Sequence, residues 1–77
     1  MIIVDQWNDI IINFDNTGVI EISCEETTYD IDVWTDEMWR NIGKYKTEER
    51  AKKVLQGIIY AYTTNVKCYY MPAEEEK

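Results

Sequence analysis

The feature that most constrains this 77-residue chain is a change of hydrophobic period partway along it. From Val19 apolar and polar residues alternate, with Ile20, Ile22 and Cys24 on one side and Glu21, Ser23 and Glu25 on the other. Glu26-Thr27-Thr28 interrupts the run, and alternation resumes with Tyr29, Ile31 and Val33 against Asp30, Asp32 and Trp34. Period two marks strands buried on one face, so the two runs predict an antiparallel sheet with one dry side and one wet side. Beyond Thr47 the period becomes 3.6, with Ala51, Val54, Leu55, Ile58, Ile59 and Tyr62 at spacings of 0, 3, 4, 7, 8 and 11. That is the stripe of an amphipathic helix, and the dry side of the sheet is the surface available to cover it.

Local signals fill in the rest. Ile2-Ile3-Val4 and Ile10-Ile11-Ile12 flank Trp7-Asn8-Asp9, which predicts a hairpin at the start. Asp15-Asn16-Thr17-Gly18 predicts a reversal, with Gly18 free to take a positive φ. Residues 35–39 read as a loop, and Asn41-Ile42-Gly43-Lys44-Tyr45 as a short return strand in which Gly43 permits a bulge or a close backbone approach. Thr47 is a suitable N-cap, Glu48 and Glu49 suit the positive end of the helix dipole, and each has a lysine four residues on. Asn65 can take the left-handed conformation that ends a helix, and Lys67–Met71 form a last strand stopped by Pro72. The predicted fold class is α+β: an antiparallel β-meander packed against one amphipathic helix, with a closing C-terminal strand. One domain spans residues 1–72, and 73–77 form a disordered acidic tail.

Composition excludes several kinds of chemistry. The chain has no histidine, hence no imidazole base, nucleophile-activating partner or imidazole metal ligand. Cys24 and Cys68 lie far apart and would supply at most two zinc ligands, so they read as reduced, buried thiols of a cytoplasmic protein. The three glycines sit in no phosphate-binding pattern. Met1 is followed by an apolar triplet and Asp5 rather than by a signal peptide, and no apolar run approaches the ~20 residues of a membrane span. Asp30, Asp32, Asp36 and Glu37 make an oxygen-rich stretch without the spacing of a calcium loop, and read as solvated charges. No catalytic residue, metal site or cofactor is expected.

The net charge of −7 disfavours nucleic-acid binding and hides a steep gradient. Residues 1–39 carry ten carboxylates and no lysine or arginine, while six of the eight basic residues fall between Arg40 and Lys53. The basic stretch is interleaved with aromatics: Trp34, Trp39, Arg40, Lys44, Tyr45, Lys46 and Arg50 place cations beside stacking surfaces. The plainer account puts Trp39 and Tyr45 in the core and leaves the cations solvated.

The stretch Gly43-Lys44-Tyr45-Lys46-Thr47-Glu48-Glu49-Arg50-Ala51 leading into the helix, with Tyr70-Met71-Pro72 at the close, resembles short proteins of phages and mobile elements of Gram-positive bacteria. The likeness covers the C-terminal half, and the opening Asp5-Gln6-Trp7 departs from it. It implies a phage-type accessory protein of the bacterial host cytoplasm, and such proteins often block host defences. Two readings follow. In the favoured one, carboxylates of the N-terminal half, Glu21, Glu25, Asp30, Asp32, Asp36 and Glu37, imitate a phosphate backbone and bind a basic host nuclease or DNA-binding protein. In the alternative, an oligomer sequesters a nucleotide immune signal, with cations of segment 34–50 on phosphate and Trp34, Trp39 or Tyr45 stacked on a base. A small structural or assembly partner is a third.

Overall fold

A computed structural model gives the positions of residues 1–74; Glu75, Glu76 and Lys77 of the expected tail lie outside the described residues. The elements run β1 (Ile2–Val4), β2 (Ile11–Asn13), a 3-10 turn (Phe14–Asn16), β3 (Val19–Glu25), β4 (Thr28–Thr35), β5 (Met38–Tyr45), α1 (Glu48–Thr63) and β6 (Cys68–Tyr70). The fold is α+β, as the change of period predicts. The antiparallel meander β3-β4-β5 packs against α1, and β6 closes the chain. A second sheet has the order β2-β1-β6, in which β1 pairs antiparallel with β2 and parallel with β6. No helix among the described residues is long and apolar enough to cross a membrane.

One core joins both sheets and the helix. Ile3 and Ile12 from the second sheet, Ile31, Val33, Ile42 and Tyr45 from the meander, Ala51, Val54 and Ile58 from α1, and Met71 all pack into it. Each fully buried isoleucine contributes about 1.5–3 kcal/mol by leaving water.

The turn between β4 and β5 corrects the expected loop at 35–39. Thr35 ends β4, Met38 and Trp39 begin β5, and Asp36 and Glu37 alone make the turn, with φ of 53° and 64°. Two consecutive positive φ values match the twist of a hairpin; Asp36 suits the first, but glycine is usual at the second, so Glu37 concealed the turn. At the earlier reversal the 3-10 turn does the work, with the Asn13 side chain accepting from the Asp15 N–H at 3.0 Å, and Gly18 does not take a positive φ.

Where β4 meets β5 the register slips by one: Asp32 faces Asn41, yet Ile31 faces Gly43, leaving Ile42 as an extra residue in β5. A one-residue slip exchanges the faces of everything that follows it. In an unbroken ladder Lys44 would point into the core opposite Tyr29, and Tyr45 would point to solvent. With the bulge, Lys44 meets Asp30 on the wet face and Tyr45 is fully buried opposite Tyr29. Gly43 serves both of its expected purposes: it lies at the bulge, and a Cβ there would be 2.9 Å from Tyr45 Cε2.

The helix keeps its cap, Thr47 Oγ1 accepting from the Arg50 N–H at 3.1 Å, and its end, Asn65 at φ 63°. Its face is turned slightly from the expected stripe. Ala51, Val54, Ile58 and Ala61 are buried and Leu55 is half-buried, while Ile59 is 54% exposed. Tyr62 is also exposed and meets Phe14 edge-on at 5.2 Å. Cys24 and Cys68 are free but exposed, not buried. Cys24 lies near the far end of β3 while α1 packs on β4 and β5, and Cys68 shares the outward side of its sheet with exposed Ile2.

Candidate interaction surface

The wet face of the meander is built from rows of cross-strand neighbours. Val19, Trp34 and Trp39 form one row, Glu21, Asp32 and Asn41 the next, and Ser23, Asp30 and Lys44 the third. Glu25 and Thr28 close it at the β3–β4 turn.

Two of the six expected partner-binding acids have partners within the fold. Asp30 is nearly fully buried; its carboxylate accepts from Thr28 Oγ1 and from Lys44 Nζ, both at 2.8 Å. The hydrogen bond to Asp30 raises the Lys44 pKa, outweighing partial desolvation. Asp32 accepts from Ser23 Oγ at 2.9 Å and from Asn41 Nδ2 at 2.8 Å, and the same Asn41 amide reaches the Gly43 carbonyl at 3.1 Å across the bulge. The expected solvation of these two charges therefore gives way to a polar network that stitches β3, β4 and β5 together, because a carboxylate turned toward a crowded face must find donors there.

The other four, Glu21, Glu25, Asp36 and Glu37, are exposed and in no ion pair among the described residues. Glu21 stands directly across from Asp32, a like-charge pairing that opposes folding, and the row ends in neutral Asn41. One row away Trp34 and Trp39 pair edge-to-face with ring centroids 5.5 Å apart, and are 38% and 46% exposed. An exposed tryptophan pair is thus bordered by carboxylates in the neighbouring row and in the Asp36-Glu37 turn.

The seven residues of the basic and aromatic segment do not converge. Trp34, Trp39 and Lys44 lie on the wet face, and Lys44 is held by Asp30. Arg40 pairs with Val33 on the opposite side, where it lines an open cleft of about 340 Å³ with Asp9, Asn13, Asn16, Thr35 and Asp36. Tyr45 is in the core; its hydroxyl donates to the Pro72 carbonyl at 2.7 Å, and burial raises its pKa well above the usual phenol value. Lys46 and Arg50 lie at the helix entrance: the Lys46 N–H donates to the Glu74 carboxylate, and the Arg50 guanidinium sits 5.8 Å over the Tyr45 ring and reaches the Ala73 carbonyl.

Sequence reading gave the side chains of Asp5, Gln6 and Asn41 no structural role. Asp5 is buried and accepts from the N–H groups of Asp9 and Ile10, holding the first loop. Gln6 lies along the edge of β5: its N–H donates to the Ile42 carbonyl, its Oε1 accepts from the Lys44 N–H at 2.7 Å, and its Nε2 donates to the Lys44 carbonyl. A side-chain amide there replaces the peptide group of a missing strand. Asp5 carried the weak signal of an Asx turn, whereas Gln6 and Asn41 carried none.

Comparison with protein-family models, with curated proteins and with solved structures gives no significant match.

Proposed function

We propose that the chain is a non-enzymatic binding protein, a phage-type counter-defence antagonist that docks the wet face of its meander on a basic host protein such as a nuclease or a DNA-binding protein. The observation that carries this reading is the exposed Trp34–Trp39 pair beside carboxylates, Glu21, Asp36 and Glu37, that form no ion pair among the described residues. Tryptophan is enriched among the anchors of protein interfaces, and surrounding charge steers the encounter and selects the partner's sign. The fold has no use for Glu21 opposite Asp32, so the cost of that repulsion is accounted for by a cation brought from outside. The phage assignment rests on the resemblance of the helix entrance and closing strand, and places the protein in the bacterial host cytoplasm.

The reading narrows the binding set. Glu21, Glu25, Asp36 and Glu37 contact the partner, while Asp30 and Asp32 shape the face on which they stand. Sequestration of a nucleotide is less favoured, because Tyr45 has no exposed ring, Lys44 is committed to Asp30, and Arg40 shares its cleft with Asp9 and Asp36. The test is affinity capture from bacterial lysate at low and at high salt, beside a thermal-shift screen of cyclic and linear nucleotides. The expected result is salt-sensitive recovery of a basic nuclease or DNA-binding protein, lost in Trp34→Ala and in Glu21→Gln with Glu25→Gln, with a flat nucleotide screen. A saturable nucleotide shift abolished by Arg40→Ala overturns it.

A further inference from the structure

The meander has two long edges, and among the described residues one of them is covered in part and the other not at all. At β5 the Gln6 side chain and main chain take up Ile42 and Lys44, and the bulge breaks the ladder. The edges of the second sheet, β2 and β6, are three residues each. β3 is different: it runs seven residues at the end of the order β3-β4-β5, in unbroken register with β4 from Val19 to Glu25. Among the described residues no segment except β4 hydrogen-bonds to its backbone. It carries no proline, no lysine and no bulge; of the devices by which proteins keep an edge from pairing it has only charge, at Glu21 and Glu25, which repels a second acidic strand and admits a basic one.

We propose that the outer edge of β3 receives an extended basic segment of the partner as a fourth antiparallel strand. This rests on the docking reading and states how the docking is made. Side chains on the two faces of β3 specify the guest. On the wet face Glu21 and Glu25 are exposed and in no ion pair among the described residues, so the residues opposite them, about 4.5–5.5 Å away, are lysine or arginine. On the inner face Ile20 and Ile22 are half-buried against the core, and apolar guest residues there complete their burial. Main-chain hydrogen bonds supply affinity and the alternating pattern supplies selectivity, as in other cases of strand addition. A second copy of the chain is the wrong guest: with matching faces it brings its own Glu21 and Glu25 to the wet side, on a molecule already at −7.

The probe is an acetylated peptide alternating valine with lysine, titrated into the full isotope-labelled chain at about 50 mM salt, where surface charges are weakly screened. Hydrogen exchange at the amides of Val19–Glu25 should slow on binding. Affinity should fall about tenfold or more when the guest's edge-facing amides are N-methylated at unchanged charge, and by a similar factor in Glu21→Lys with Glu25→Lys. Peptide binding that ignores N-methylation and leaves exchange in β3 unaltered overturns strand addition and leaves docking on the wet face standing. Absence of peptide binding, with salt-sensitive capture of an intact basic protein by the Trp34 face retained, also overturns strand addition alone. Failure of both sinks the two readings together.

Discussion

The Tyr45 hydroxyl donates to the carbonyl oxygen of Pro72 at 2.7 Å, so the last residue of β5 holds the chain that leaves β6. The same ring fills the space over Gly43, where a Cβ would meet it at 2.9 Å. Tyr45→Phe keeps the ring and loses the bond, and should cost about 1–2 kcal/mol in urea melts. Gly43→Ala should cost about 1–3 kcal/mol by overpacking. An unchanged midpoint in both would show that the C-terminal segment is not anchored here.

Stability should fall in alkali. Burial raises the pKa values of Tyr45 and Tyr69, and the hydrogen bond to Asp30 raises that of Lys44. A folded-state pKa above the unfolded value stabilises fully below the unfolded pKa, and that stability is lost as pH rises through the folded one. The unfolding free energy should therefore hold level across neutral pH and begin to fall above about pH 10, by up to about 1.4 kcal/mol per pH unit for each proton that a buried tyrosine retains, with less from Lys44, whose half-exposed side chain is screened by water. Tyr45→Phe should flatten the decline, as read from urea midpoints taken between about pH 8 and 11.

The turned helix face gives a ranking. Ile58→Ala should cost about 2–5 kcal/mol, Leu55→Ala less, and Ile59→Ala under about 1 kcal/mol, because only the first removes a fully buried side chain. Equal losses at Ile58 and Ile59 would mean that the helix sits on the sheet by a different face.

The acids of the wet face should separate into two classes. Asp30→Asn and Asp32→Asn weaken the polar network and should lower stability by about 1–3 kcal/mol. Glu21→Gln relieves its repulsion with Asp32 and should leave stability equal or slightly higher, while partner capture becomes weaker and less salt-dependent. Denaturant melts run beside capture at two salt concentrations would expose an error if Glu21→Gln destabilised the fold as much as Asp30→Asn does.

Much of the fold is legible in the residues because its causes are short-ranged. Alternation through Val19–Val33 depends on the period of a strand, and the 3.6 spacing after Thr47 on the period of a helix. The Thr47 cap and the left-handed Asn65 depend on groups within four residues. The charge gradient, ten acids and no cation before Arg40, is likewise read from the residues whatever the fold. Tertiary structure decided which of those acids are free. The extra residue at Ile42 sends Lys44 outward to Asp30 and Tyr45 inward to the core, so a segment that reads as one basic and aromatic site is divided between two faces and the interior. Trp39 lies beside Trp34 in solvent rather than in the core for a related reason: the turn contains only Asp36 and Glu37, which puts the two indoles in register on the wet face. Gln6 covers part of one sheet edge from 38 positions away, and β3 is left open because nothing comparable among the described residues reaches it. Registers, edge covers and the Asp30–Lys44 pair are agreements between residues distant along the chain, and they are settled only when the whole core packs.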